Sequence, residues 1–165
     1  QKNLETHVNV FATAQPEGIR FVGASRNILR RQVGFENELL EQFHLIYLLR
    51  EPTDAASLIV GTPKPKLRLR QEDINYIQAY ITHAHATDVS FDRKYNQYLL
   101  GLVDEVLEEE DQHVIHMGER IATTMVRLAK ARTRLALRDS VVKGDLQQAY
   151  SIIRKSLAVD GATRK

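Results

Sequence analysis

Apolar residues in the second half of the chain recur at three- and four-residue intervals, the spacing that lines one face of a helix. Residues 71–85 place Ile74, Ile77, Tyr80 and Ile81 on such a stripe. Residues 90–109, with Ser90 as a candidate cap, carry Tyr95, Tyr98, Leu99, Leu102, Val103 and Val106. The pattern returns over 117–138 with Ile121, Met125, Leu128 and Leu135, and over 143–158 with Leu146, Ala149, Ile152, Ile153 and Leu157. Four amphipathic helices of this kind can bury their stripes against one another as a small bundle.

The first part of the chain has a different pattern. Residues 7–14 are apolar and β-rich and run into Gln15-Pro16-Glu17-Gly18, which predicts a buried strand followed by a turn. A loop over 19–34 carries Arg20, Arg26, Arg30 and Arg31, and a short helix is expected over 36–42. The aromatic and branched run 43–49 predicts a second buried strand. Thr53 or Asp54 is placed to cap a short helix ending near residue 60. Two prolines within Gly61-Thr62-Pro63-Lys64-Pro65-Lys66 prevent helix continuation and mark a linker. The expected fold is therefore mainly α with a small β component, divided into 1–61, a linker at 62–70, and a helical domain over 71–165.

Composition narrows the class without naming a chemistry. The chain has 165 residues, 43% hydrophobic and 27% charged, which suits a globular domain or two small lobes sharing an interface. It contains no cysteine, excluding disulfides and thiolate metal sites and fitting an intracellular protein, nuclear or cytoplasmic according to the kind of cell. No apolar run reaches the roughly 18 residues of a membrane helix, and no signal peptide is expected. The first residue is Gln1, so a processed or excised piece is expected. A net charge of +2 conceals a division: Arg120, Arg127, Lys130, Arg132, Arg134 and Arg138 follow one another with no carboxylate between them, just after Glu108-Glu109-Glu110-Asp111.

Several chemical groupings are weak on spacing alone. His83 and His85 point about 200° apart on a helix, which does not suit a shared metal with His113 and His116. The carboxylates from Asp104 to Asp111 read as a solvated face. There is no G-x4-G-K-[ST] run to cradle phosphates and no hydrophobic strand ending in Asp-Glu to hold a metal. DNA is a candidate partner through phosphate contacts to the arginines, but aromatic residues for base stacking are not interleaved with them. A basic helix against an acidic partner surface accounts for the same residues.

The lid region supplies a more specific pattern. Arg120, Arg127, Leu128, Ala131, Arg134, Leu137, Asp139 and Val141 follow the order R-x6-RL-x2-A-x2-R-x2-L-x-D-x-V, with an acidic-capped helix after it. This resembles the C-terminal lid of the MCM family of AAA+ replicative helicases. Ala12-Thr13-Ala14-Gln15-Pro16-Glu17-Gly18 is similar to that family's A-A-x-N-P-x-G, where the asparagine is sensor 1. Glu38-Leu39-Leu40-Glu41-Gln42-Phe43-His44-Leu45-Ile46-Tyr47 is similar to P-L-L-S-R-F-D-L-I-F, where the arginine is the finger that enters a neighbouring subunit's ATP site.

The resemblance implies the end of an AAA+ α/β core followed by a helical lid bundle. It places Gln15 at sensor 1 with its amide one methylene further out, Gln42 at the finger without its cation, and Arg120 at sensor 2 with Arg127 in support. An arginine finger is worth about 10³ to 10⁵ in rate, so a neutral Gln42 does not replace it. In the family the nucleotide cradle lies upstream of the sensor-1 strand. ATP and Mg²⁺ are thus expected only if an upstream half is present, with none held by this chain alone. The implied function is the C-terminal part of an MCM-like ATPase or DNA helicase subunit, diverged, with other MCM-like subunits as partners. The alternative is a non-enzymatic interaction module in replication or repair. A third reading, an unrelated helical DNA-binding domain, would make the resemblance accidental.

Overall fold

A computed structural model describes residues 9–18, 21, 31–48, 69–109, 113, 117–118 and 120–157. Among these residues there are five α-helices: α1 (Asn37–Leu40), α2 (Gln71–Ala86), α3 (Asn96–Glu108), α4 (Arg120–Leu135) and α5 (Lys143–Leu157). The chain is mainly helical, as the periodicity predicts.

The core is built by the last three helices. Ile121, Met125 and Ala129 recur every fourth residue and face inward on α4; Leu146, Ala149, Ile153 and Leu157, three or four residues apart, face inward on α5. Leu99, Leu102, Val103 and Val106 of α3 close the cluster, with Val89, Met117 and Val141 from the connections. Ile121, Met125, Leu146 and Ile153 are essentially inaccessible. Each contributes about 1.5–3 kcal/mol by leaving water.

The turn between α4 and α5 is closed in two ways. Arg138 N–H donates to Thr133 O at 3.1 Å and Leu137 N–H to Arg134 O at 2.9 Å, the paired bonds of a left-handed helix ending. The left-handed residue is Leu137, at φ 52°, where glycine is the usual occupant. Beyond it, Ser90 N–H donates to Asp139 O at 2.9 Å and Val141 N–H to Ser90 O at 3.2 Å, a parallel bridge between Ser90 and Ser140. Ser90 is therefore not a helix cap. Asp92 takes that role, accepting from Lys94 N–H at 2.9 Å at the start of a 3₁₀ turn, Arg93–Tyr95, that leads into α3.

Both expected strands are corrected. Residues 9–15 are exposed, with Phe11 93% accessible, and no ladder forms beside them among the described residues, residues 7 and 8 lying outside these. A strand exists only when its N–H and C=O groups pair with a neighbour, and sequence pattern cannot supply that neighbour. Residues 43–48 form no ladder either, and lie as a strap on the bundle. Leu45 packs on the main core, while Ile46, Leu48 and Val33 gather round Leu40 of α1 in a satellite cluster. The Tyr47 hydroxyl reaches Ile152 O of α5 at 3.4 Å.

Mutual burial of four stripes is likewise reduced to three. Helix α2 buries only Ala84, and Tyr76, Ile77 and Ile81 remain exposed. It is tethered to the end of α4 by the Tyr80 hydroxyl on Leu135 O and by Arg134 Nε on Thr87 O at 3.1 Å. The expected helix ending near residue 60, the Gly61–Lys66 linker, and Arg20, Arg26 and Arg30 lie outside the described residues; Arg31 is exposed. No helix among the described residues is long and apolar enough to cross a membrane.

Candidate functional site

Arg120 and Arg127 stand seven residues apart on α4, about two turns, so their side chains project from one face. That face meets the strap. Arg120 Nη1 donates to the carbonyl oxygen of Glu41, and Arg127 Nη1 donates to His44 Nε2 at 2.8 Å. A guanidinium has no lone pair to offer, so the contact requires a neutral imidazole with its proton on Nδ1. Burial lowers the His44 pKa from 6.5, and the charges of Arg127 and Arg120 lower it further. The ring is therefore neutral at physiological pH.

The other two site residues are not drawn in. The Gln42 amide turns back to donate to Glu38 O at 3.2 Å, capping its own short helix. Gln15 is exposed, and no hydrogen bond joins it to Arg120 or Arg127. The structure thus unites the two α4 arginines with the Glu41 carbonyl and the His44 imidazole on either side of Gln42, leaving the Gln42 side chain aside.

Most of the remaining positive charge on α4 and the turn after it is occupied inside the fold. Asp145, 1% exposed, accepts from Arg138 Nη2 with both oxygens at 2.7 and 2.9 Å and from Arg132 Nε at 3.2 Å. It also accepts from the Thr133 hydroxyl at 2.9 Å and Val142 N–H at 3.0 Å. Burial pushes its carboxyl up, but the bonds from Arg138, Val142 N–H and Thr133, with the Arg138 charge, outweigh it and leave the pKa below 3.8. No known protein-family model matches the chain, and no curated protein matches it. The arginines must therefore be interpreted from their surroundings.

Asp145 was legible only in hindsight. It lies three residues after Val142 in the first turn of a helix, the position from which a carboxylate reaches back to an unpaired N–H. The acidic run read as a solvated face is partly structural as well. Glu105 accepts from the Tyr150 hydroxyl at 2.8 Å, and Glu109 accepts from Arg154 Nε at 2.9 Å, joining α3 to α5. Of the histidines, His83 and His85 are exposed on α2 and His113 is buried, while His116 lies outside the described residues.

Beside the arginine face runs an open groove of about 420 Å³ between α3 and α4, lined by Leu99, Ala122, Thr123, Val126, Arg127 and Lys130. Nothing in the sequence periodicity distinguishes Ala122 and Val126 from core positions. Both are half-buried and pack on the edge of the core.

Proposed function

We propose that this chain is the C-terminal part of an MCM-like AAA+ module that serves as an assembly element in DNA replication or repair. The reading rests on the turning of Arg120 and Arg127 onto the strap of their own chain. A sensor arginine acts by presenting its cation to a phosphate; here Arg120 is satisfied by the Glu41 carbonyl and Arg127 by His44. The neutral Gln42, bonded to α1, supports the same reading, because no cation stands at the finger position. Other MCM-like subunits are the partners this assembly role implies.

A second reading keeps the chain as part of an ATP-driven DNA helicase subunit, with Arg120 as sensor 2 and ATP and Mg²⁺ held by residues upstream. It is favoured by the position of Arg120, exposed at the first residue of α4 and held through one carbonyl. The two readings separate in ATP turnover by the natural full-length polypeptide with its partner subunits. Assembly predicts that Arg120→Ala leaves turnover unchanged and that Gln42→Arg does not raise it. A loss of roughly tenfold or more with Arg120→Ala would establish the helicase reading in its place.

A further inference from the structure

Arg120, Arg127, Arg132, Arg134 and Arg138 all donate to oxygen or imidazole nitrogen within the fold. Lys130 is different: it is half-buried at the edge of the groove and has no partner among the described residues. It lines the groove together with the apolar Leu99, Ala122 and Val126. Desolvating a charge without a counter-ion is unfavourable, so this arrangement is complementary to an anion carried on an apolar body.

We propose that the α3–α4 groove docks an acidic amphipathic helix of a partner protein. One or two large apolar side chains enter between Leu99 and Val126, and a carboxylate pairs with Lys130, with Arg127 as a second cation at the rim. The volume falls at the small end of the roughly 300–1,000 Å³ of ligand clefts. Ala122, Val126 and Lys130, four residues apart, mark a lane about 12 Å long, roughly two helical turns. Charge selects the partner: residues 120–138 hold no carboxylate, so an acidic segment meets no repulsion along α4.

Nucleic acid fits less well. A nucleic acid strand would meet an apolar floor with no aromatic ring for base stacking. The inference goes beyond the assembly reading and stands on the groove alone, so it holds whether or not Arg120 serves an ATP site.

The test is selection of a displayed library of random 16-residue peptides against the full 165-residue chain, followed by titration of the enriched peptides while watching the Leu99 and Val126 methyl resonances. Enriched peptides should carry acidic residues beside apolar residues at helical spacing and should shift both methyls. Lys130→Glu should weaken them roughly tenfold or more. Thr123→Glu, at an exposed helical position, should do the same without disturbing the fold. Absence of enrichment over an unrelated bait, basic enriched peptides, or binding indifferent to both substitutions would overturn the proposal. Displacement of the peptides by duplex DNA, or the same methyl shifts on concentrating the chain alone, would also overturn it in favour of nucleic acid or a second copy.

Discussion

Arg127 of α4 donates a hydrogen bond to His44 of the strap at 2.8 Å, across 83 positions of sequence. The bond makes the strap's attachment depend on an imidazole that must stay neutral. Protonated His44 would have no acceptor nitrogen and would face Arg127 and Arg120 as like charges. Because burial and then these two cations lower its folded pKa below 6.5, the unfolded chain binds the proton more readily. The stabilisation is complete above the unfolded value of about 6.5 and is lost as pH falls through the lower folded value. The His44 ring resonances should titrate below 6.5, and Arg127→Ala should move that titration upward. An unchanged midpoint in the variant would show that Arg127 does not bear on His44.

Asp145 should be the costliest polar residue to remove. Asp145→Ala leaves Thr133, Arg138 and Val142 N–H without their acceptor. Breaking a buried pair costs about 3–5 kcal/mol, and since Arg132 and Arg138 are each more than a third exposed the lower end, about 3 kcal/mol, is expected. The carboxyl's pKa is lowered in the fold, so its contribution is present above about 3.8 and is lost as pH falls through the folded value. Denaturant titrations at several pH values should show the wild type losing its advantage over Asp145→Ala at the acid end.

Thr124 is fully buried on α4 and its hydroxyl has no hydrogen-bond partner among the described residues. Thr124→Val keeps the shape and removes the unsatisfied group, which should stabilise the chain by about 1 kcal/mol. Chemical denaturation would read the gain; a loss would mean that a donor or acceptor reaches the hydroxyl in solution.

At Leu137 the backbone is left-handed, a conformation that costs a residue with a Cβ about 1 kcal/mol or more. Leu137→Gly relieves this while adding about 0.5 kcal/mol of unfolded-state entropy, leaving a net gain of about 0.5 kcal/mol. Leu137→Val, branched at Cβ, should instead lower the thermal midpoint. Equal midpoints for the two variants would argue against a left-handed residue there.

What the sequence showed and what it withheld divide along physical lines. Helices α2, α4 and α5 were legible within a few residues, because a 3.6-residue period depends only on local spacing. The inward stripe of α4 was also legible. The strap was not: residues 43–48 have strand composition, but strand or strap is decided by whether another backbone lies alongside. Nor could pattern reveal that Ile77 and Ile81 stay exposed, since periodicity shows which residues share a face and not whether that face is covered. The site was half legible. Arg120 and Arg127 were picked out through a resemblance, whereas their partners, the Glu41 carbonyl and His44, depend on the strap. Asp145 gathers bonds from Thr133, Arg132 and Arg138, which no local window connects.

The slender attachment of α2 has a kinetic consequence. With Ala84 its one buried residue and its ties to α4 made through Tyr80 and Arg134, the helix can open without disturbing Ile121, Met125 or Ile153. Its amide hydrogens should exchange with solvent through a low-energy partial opening, while those of α4 and α5 exchange only when the whole bundle comes apart. The described helices then form two cooperative units of unequal durability.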